Sequence, residues 1–121
     1  MNKETKHKIN ISIIGLGYVG LPLAIEFSKK YSVVGYDIDK SKILKLRQGE
    51  GFTDQVTSKD LKKAINIKFT SEKEDLKDCN CFIVTVPTPI DKNKIPDLKC
   101  MIDATNLISE NLKKNDTVIY E

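Results

Sequence analysis

Long apolar runs are missing from this 121-residue chain. Its longest ones fall far short of the roughly 20 residues that cross a membrane, and no apolar signal segment follows Met1, so a cytoplasmic protein with no membrane partner is expected. Histidine is nearly absent. The single one, His7, sits in a basic start (Lys3, Lys6, His7, Lys8) that reads as a solvated tail over residues 1–8. Cysteine is scarce and odd in number: Cys79, Cys81 and Cys100 without a secretory signal read as free thiols rather than a disulfide framework. The Cys79-Asn80-Cys81 spacing is too short for a metal clip, so no structural zinc site is expected. Cys81 begins an apolar run and is expected to face the core, while Cys100 is expected to open a helix. No histidine or other general base is identifiable near any of the three, and none reads as a nucleophile. Charge of one sign is also missing. The 20 Lys+Arg against 17 Asp+Glu give a net +3 spread along the chain, and no charged helix with interleaved aromatics points to nucleic acid. There is no internal repeat or low-complexity linker. Residues 9–121 therefore read as one domain, long enough to remove roughly two thirds of its unfolded surface from water.

What is present is concentrated near the start. Ile9-Asn10-Ile11-Ser12-Ile13-Ile14 is followed by Gly15-Leu16-Gly17-Tyr18-Val19-Gly20, a helical pattern, and a second apolar run that ends at Asp37. Strand, glycine turn, helix, strand, acid is the order of a dinucleotide-binding fingerprint. Gly15 allows the tight turn, Gly17 lets the backbone approach a pyrophosphate, and Gly20 lets the helix pack on the sheet. The unpartnered N–H groups and the dipole at the helix start can hold a diphosphate without a lysine. A carboxylate at the tip of the second strand can accept from both hydroxyls of an adenosine ribose. That selects NAD, because an NADP 2′-phosphate about 4 Å away would be repelled by roughly 4 kcal/mol at an effective dielectric of 20. Asp39 adds a second negative charge, and Lys42 lies too far along the sequence to look like a dedicated phosphate clamp.

Strands and helices then alternate. Helices are expected at about 18–30, 40–48, 59–64 and 98–112, with a helical turn over 72–77. Strands are expected at 9–14, 32–36, 65–69, 81–86 and in a final run over 117–120. Pro22 is placed past the first turn of the first helix, where it would remove a hydrogen bond and kink the segment. Ile43, Leu44 and Leu46 are expected to form the buried face of the second helix, which Gly49 stops. Residues 49–58 read as an irregular polar loop. Leu98, Met101, Ile102, Leu107, Ile108 and Leu112 are expected on the apolar side of the last helix. Cys81-Phe82-Ile83-Val84-Thr85-Val86 is the continuous apolar run of a parallel strand covered on both faces. The fold class is thus α/β, a Rossmann-type doubly wound parallel sheet in strand order 3-2-1-4-5. Its crevice lies between strands one and four, lined by residues 15–20 and by Val86, Pro87 and Thr88 through Ile90. The flanking prolines hold the backbone extended and leave the Thr88 hydroxyl aimed into that crevice.

Gly15-Leu16-Gly17-Tyr18-Val19-Gly20-Leu21-Pro22-Leu23-Ala24, Gly35-Tyr36-Asp37-Ile38-Asp39 and Val84-Thr85-Val86-Pro87-Thr88-Pro89 together resemble the N-terminal NAD-binding domain of the UDP-glucose/GDP-mannose dehydrogenase family. Leu-Pro-Leu-Ala and Val-Pro-Thr-Pro-Ile-Asp look most like its UDP-N-acetylhexosamine branch, which serves bacterial surface polysaccharides. The resemblance implies a two-step oxidation of the C6 hydroxyl of a UDP-sugar to a carboxylate, with two NAD consumed per product. It implies that Tyr18 and Val19 meet the pyrophosphate through their backbone, that Asp37 holds the adenosine ribose with Lys42 beside it, and that Thr88 contacts the nicotinamide side. Lys42 stands where the family often has arginine, keeping the charge and losing planar stacking on adenine. The family's catalytic cysteine, lysine, asparagine and aspartate come later in its chains, and no residue here matches them. The expectation is an N-terminal part that holds NAD without turnover, monomeric alone and homodimeric in the full enzyme, with apolar surface exposed and the sugar site mostly outside it. Two other classes share a glycine turn and a strand-two acid: a nucleotide-sensing regulatory domain, such as a potassium-channel gating module, and a methyltransferase. The Val-Pro-Thr-Pro turn speaks against the first and the tight six-residue glycine spacing against the second.

Overall fold

Every second residue of the apolar runs faces one side of a sheet, and the helices between them cover both sides. The computed structural model describes residues 8–50 and 56–121. The expected loop over 49–58 and the basic tail therefore lie largely outside the described residues. In chain order the elements are β1 (Asn10–Ile14), α1 (Gly20–Ser28), β2 (Ser32–Tyr36), α2 (Lys40–Arg47), α3 (Ser58–Lys63), β3 (Ile67–Thr70), a 3₁₀ turn (Lys73–Leu76), β4 (Cys81–Val84), α4 (Lys99–Ser109) and β5 (Thr117–Tyr120). All strand pairs are parallel and the order is β3-β2-β1-β4-β5, the expected one.

Two cores follow from the alternation. Ile11 and Ile13 of β1, Val33 of β2 and Ile83 of β4 pack with Leu16, Leu21, Ala24, Ile43 and Leu46 beneath α1 and α2. On the opposite face Ile14, Phe82 and Val84 pack with Leu76, Cys79, Ala104 and Ile108 beneath the 3₁₀ turn and α4. Cys81 packs against the first core, as its place at the head of β4 suggests. Phe82 has no exposed surface.

Several element details differ from the sequence reading, each for a physical reason. The chain at 17–19 is a turn, so α1 starts at Gly20 and Pro22 is its third residue. An N–H there has no partner inside the helix, so Pro22 costs no helix bond and gives no cause for a kink. Val19, which the helical pattern over 18–30 counts among its apolar positions with Leu23, Ile25 and Phe27, precedes the helix and is more than half exposed. Leu44 is 57% exposed, because the residues α2 buries are Ile43 and Leu46, three residues apart. Ile65 is 85% exposed: β3 runs from Ile67 to Thr70, and pairing with β2 begins opposite Val33. In α4 the buried residues are Ala104 and Ile108, one turn apart, while Leu98, Ile102 and Leu112 are exposed.

Candidate dinucleotide site

At the C-terminal edge of the sheet the winding reverses between β1 and β4, and the chain leaving β1 enters the glycine turn. Gly15 has φ +102°, a backbone that L side chains rarely adopt. Its N–H donates to Tyr36 O at 2.8 Å, tying the turn to the end of β2. A Cβ on Gly15 would lie 3.0 Å from Val86 N and 3.1 Å from Thr85 O, so the turn and the end of β4 touch. The two segments expected to meet across the crevice do meet. Gly20 is more constrained: a Cβ there would fall on Gly15 O and 2.4 Å from Thr85 Oγ1. Gly17 is the opposite case, with no atom within 4 Å of where its Cβ would stand. That empty volume lies beside the start of α1, where no side chain caps the helix N–H groups. Leu21 N and Leu23 N donate to Gly17 O and Val19 O, and Pro22 has no N–H, so the open space beside Gly17 and the dipole at the start of α1, rather than a row of free donors, are what fit a diphosphate there.

Asp37 is the electrostatic centre of the opposite end. It is 8% exposed. Its Oδ2 accepts from Leu16 N at 2.9 Å and from Lys42 Nζ at 3.1 Å, and its Oδ1 accepts from Asp39 N at 2.9 Å. The carboxylate thus binds the glycine turn to the start of α2. Lys42 stands beside Asp37 although it lies five residues further along the sequence. Asp39 caps α2 by accepting from Lys42 N at 3.1 Å, and the first helical turn that follows swings the Lys42 ammonium back onto Asp37. A carboxylate offers about four acceptor positions, and three are used here. A ribose that takes both its hydroxyls to Asp37 therefore displaces or shares one present partner, and the Lys42 ammonium is the mobile one. The Tyr36 phenol just before Asp37 is pushed up in pKa by burial and then by the Asp37 and Glu72 carboxylates, so it stays protonated.

Tyr18 is 72% exposed and Val19 54%, so their side chains stand away from the core and their backbone remains the part nearest the helix start. Val86 is half-buried against the second core, whereas Pro87, Thr88 and Pro89 are exposed beyond β4. Thr85, which the sequence places in the β4 run without a role of its own, is the residue that joins the two lips. Its Oγ1 lies 2.6 Å from Gly15 O and 3.2 Å from Ile14 O. Its parity with Cys81 and Ile83 places it on the α1 face, a signal available in the sequence, but the reach to Gly15 depends on where β1 ends. The thiols stay outside this site's chemistry. Burial pushes Cys79 up to about 11 and also raises Cys81, so both remain protonated. Cys100 is the exposed second residue of α4. Among the described residues no group of three or more His, Cys, Asp or Glu could hold a metal ion, and no helix is long and apolar enough to cross a membrane.

A parallel sheet in this order with a glycine turn at the switch point and an acid at the tip of β2 defines a Rossmann-type dinucleotide-binding domain. The chain belongs, more narrowly, to the UDP-glucose/GDP-mannose dehydrogenase family, whose NAD binding domain matches residues 9–121. UDP-N-acetyl-D-glucosamine 6-dehydrogenase of Pseudomonas aeruginosa is 52% identical over 113 residues, covering 93% of this chain and 27% of that protein. The Salmonella typhi enzyme of the same name is 48% identical over 114 residues, again 27% of its length. Among solved structures, UDP-D-ManNAc dehydrogenase from Pyrococcus horikoshii superposes with a TM-score of 0.86 at 36% identity, over 93% of this chain and 28% of that one. The chain thus spans about a quarter of the length of these relatives. The regulatory-domain and methyltransferase readings lose their support to this family match.

Proposed function

We propose that this chain is the NAD-holding part of a nucleotide-sugar 6-dehydrogenase that oxidises the C6 hydroxyl of a UDP-N-acetylhexosamine, or of UDP-glucose, to a carboxylate for surface polysaccharide synthesis. One observation carries the site: Asp37, almost fully buried, links the glycine turn and α2 while keeping acceptor capacity at the crevice. Relatives near half identity carry the substrate class, UDP-N-acetyl-D-glucosamine being the one in their names.

Each residue's part follows from its position. The backbone at Gly15, Gly17, Tyr18, Val19 and Gly20 receives the diphosphate, with Gly17 supplying the space and the start of α1 its dipole. Asp37 accepts from the adenosine ribose hydroxyls. Lys42, held at the same oxygen, moderates the charge there. Val86, Pro87 and Thr88 line the nicotinamide side at the end of β4. NAD, when bound, supplies the hydride acceptor. Converting a primary alcohol to a carboxylate removes four electrons, two hydride equivalents, and adds one water. Two NAD are therefore consumed per product, and the domain must release one reduced cofactor and admit a fresh oxidised one. An open shelf at the sheet edge suits that exchange better than an enclosed cavity.

The test is a fluorescence titration of the chain with NADH and NADPH in parallel, repeated on Asp37→Ala after circular dichroism shows that the variant folds. Saturable NADH binding, much weaker for NADPH and lost in Asp37→Ala, is the expected result. Equal affinity for the two cofactors, or binding indifferent to Asp37, would sink the assignment of the ribose site.

A further inference from the structure

Gly15 is gripped from both neighbouring strands. On the β2 side its N–H donates to Tyr36 O, and the next amide, Leu16 N, donates to Asp37 Oδ2. On the β4 side its carbonyl faces the Thr85 hydroxyl at 2.6 Å, while the Thr85 N–H donates to Ile14 O at 2.9 Å. A hydroxyl has one proton, and the shorter contact takes it, so Thr85 donates to Gly15 O. The same two oxygens occupy the space above Gly20, where a Cβ would collide with Gly15 O and approach Thr85 Oγ1 to 2.4 Å. Gly20 is the first residue of α1. The start of α1 therefore rests on the Gly15 carbonyl and Thr85 hydroxyl pair, and Thr85 is one peptide from Val86 at the opposite lip.

We propose that Thr85 is a positioning residue for the cofactor: its hydroxyl locks the glycine turn and the start of α1 against β4, so that the diphosphate shelf and the nicotinamide-side loop keep one fixed spacing. The inference rests on the dinucleotide reading of the crevice and assigns no contact between Thr85 and the ligand. Thr85 acts through Gly15. Losing the hydroxyl leaves the Gly15 carbonyl without its β4 partner, lets the turn relax toward β2, and moves the glycine turn and the start of α1 off the line on which a diphosphate is held. The removed bond is one ordinary neutral hydrogen bond, which sets the size of the effect at roughly fivefold in affinity.

The experiment compares wild type, Thr85→Ser and Thr85→Ala by titration with NADH and, by competition, with ADP, at a temperature where circular dichroism shows all three folded. ADP shares the diphosphate and lacks the nicotinamide. Thr85→Ala should bind both ligands roughly fivefold more weakly, by the same factor, and Thr85→Ser, which keeps the hydroxyl, should stay within about twofold of wild type. If Thr85→Ala melts earlier yet binds as wild type does when folded, Thr85 is only structural and the inference fails. It also fails if NADH weakens while ADP does not, because Thr85 would then act at the nicotinamide end. Should Thr85→Ala not fold, Thr85→Ser against Thr85→Val makes the same comparison with the side-chain shape retained in Val. A wild-type chain that binds neither ligand overturns the dinucleotide reading and this inference together. Wild-type binding that is untouched in the variants overturns the inference alone.

Discussion

At the residue scale, the three glycines of the turn serve different ends, and substitution separates them. Gly20 has backbone where a methyl group would go, so Gly20→Ala must push Gly15 or α1 aside and should cost at least the ~1–3 kcal/mol of ordinary overpacking. Gly17 has open space there and no unusual φ, so Gly17→Ala should melt within about a degree of wild type while filling the volume assigned to the diphosphate. Thermal melts and NADH titrations of the two variants check this: Gly17→Ala is expected to lose binding without losing stability, and Gly20→Ala to lose both. A Gly17→Ala variant that binds NADH normally would remove the diphosphate from that volume. Asp37 and Lys42 carry a second prediction. The 2′-phosphate of NADP would meet a carboxylate already paired with an ammonium 3.1 Å away, which offsets part of the repulsion estimated for Asp37 alone. Replacing Asp37 by Ser removes the negative charge and leaves the Lys42 ammonium, on the first turn of α2, facing that phosphate. Asp37→Ser should bind NADPH roughly tenfold better than wild type does, a gain of about 1.4 kcal/mol, and adding Lys42→Met should abolish the gain. If Lys42→Met leaves the gain intact, the ammonium plays no part in cofactor choice.

At the element scale, the C-terminal ends of the strands are held by side chains as well as by the ladder. Thr70 closes β3 and is fully buried. Its hydroxyl donates to Asp75 Oδ2 at 2.5 Å and accepts from Glu72 N at 2.9 Å, so it organises the 3₁₀ turn that covers the second core. Asp75 also pairs with Lys68 Nζ at 3.0 Å. The Thr70 hydrogen bond, then the Lys68 hydrogen bond, hold the Asp75 carboxyl below its ordinary value of 3.8. A carboxyl depressed in the folded state stabilises fully above its unfolded value and loses that contribution as pH falls through the folded one. The contribution is therefore present at neutral pH and lost below about pH 4, and Thr70→Val, which removes its largest source, should flatten the acid limb of the stability curve. Urea melts at pH 7 and pH 3 measure it: the gap between wild type and Thr70→Val should be larger at pH 7 and narrow at pH 3. A gap that is constant with pH would mean that Thr70 acts through packing and the Glu72 amide alone. Neither this anchor nor the Thr85 contact was legible in the sequence, because both pair residues through hydroxyls whose direction is set by where a strand ends. Strand order and the glycine turn were legible, since each rests on a repeated pattern of several residues. Leu44 and Ile65 were misplaced for the converse reason. Ile65 lies just before β3 and Leu44 lies mid-helix, beside the Ile43–Leu46 stripe, and in either place an apolar residue satisfies the pattern without being buried.

At the scale of the whole molecule, two cores, one on each face of a five-stranded parallel sheet, flank the crevice between β1 and β4. A cofactor shelf is what this chain supplies, and it should suffice for binding but not for oxidation. A sugar alcohol carried to the acid needs a covalent or hydrated stage between the two hydride transfers, and that stage needs a nucleophile or base beside the cofactor. Of the three thiols, Cys79 sits in the second core with its pKa raised to about 11, and Cys81 is half-buried against the first. Both lie toward the N-terminal end of β4, whereas the crevice opens at its C-terminal end. Cys100 is exposed, and the acids and the lysine nearest it in sequence are engaged in local surface contacts, Asp97 accepting from Lys99 N and the Lys99 ammonium pairing with Asp103. The chain spans 27% of the relatives named as UDP-N-acetyl-D-glucosamine 6-dehydrogenases, so most of the length of those proteins has no counterpart in it. Incubated with NAD and UDP-N-acetylglucosamine, it should therefore generate no NADH absorbance above a protein-free control, at a concentration where NADH titration shows the site saturable. Turnover under those conditions would mean that the described domain holds a complete reaction centre, and one of its own side chains, with Cys100 the first to mutate, would have to be the missing nucleophile.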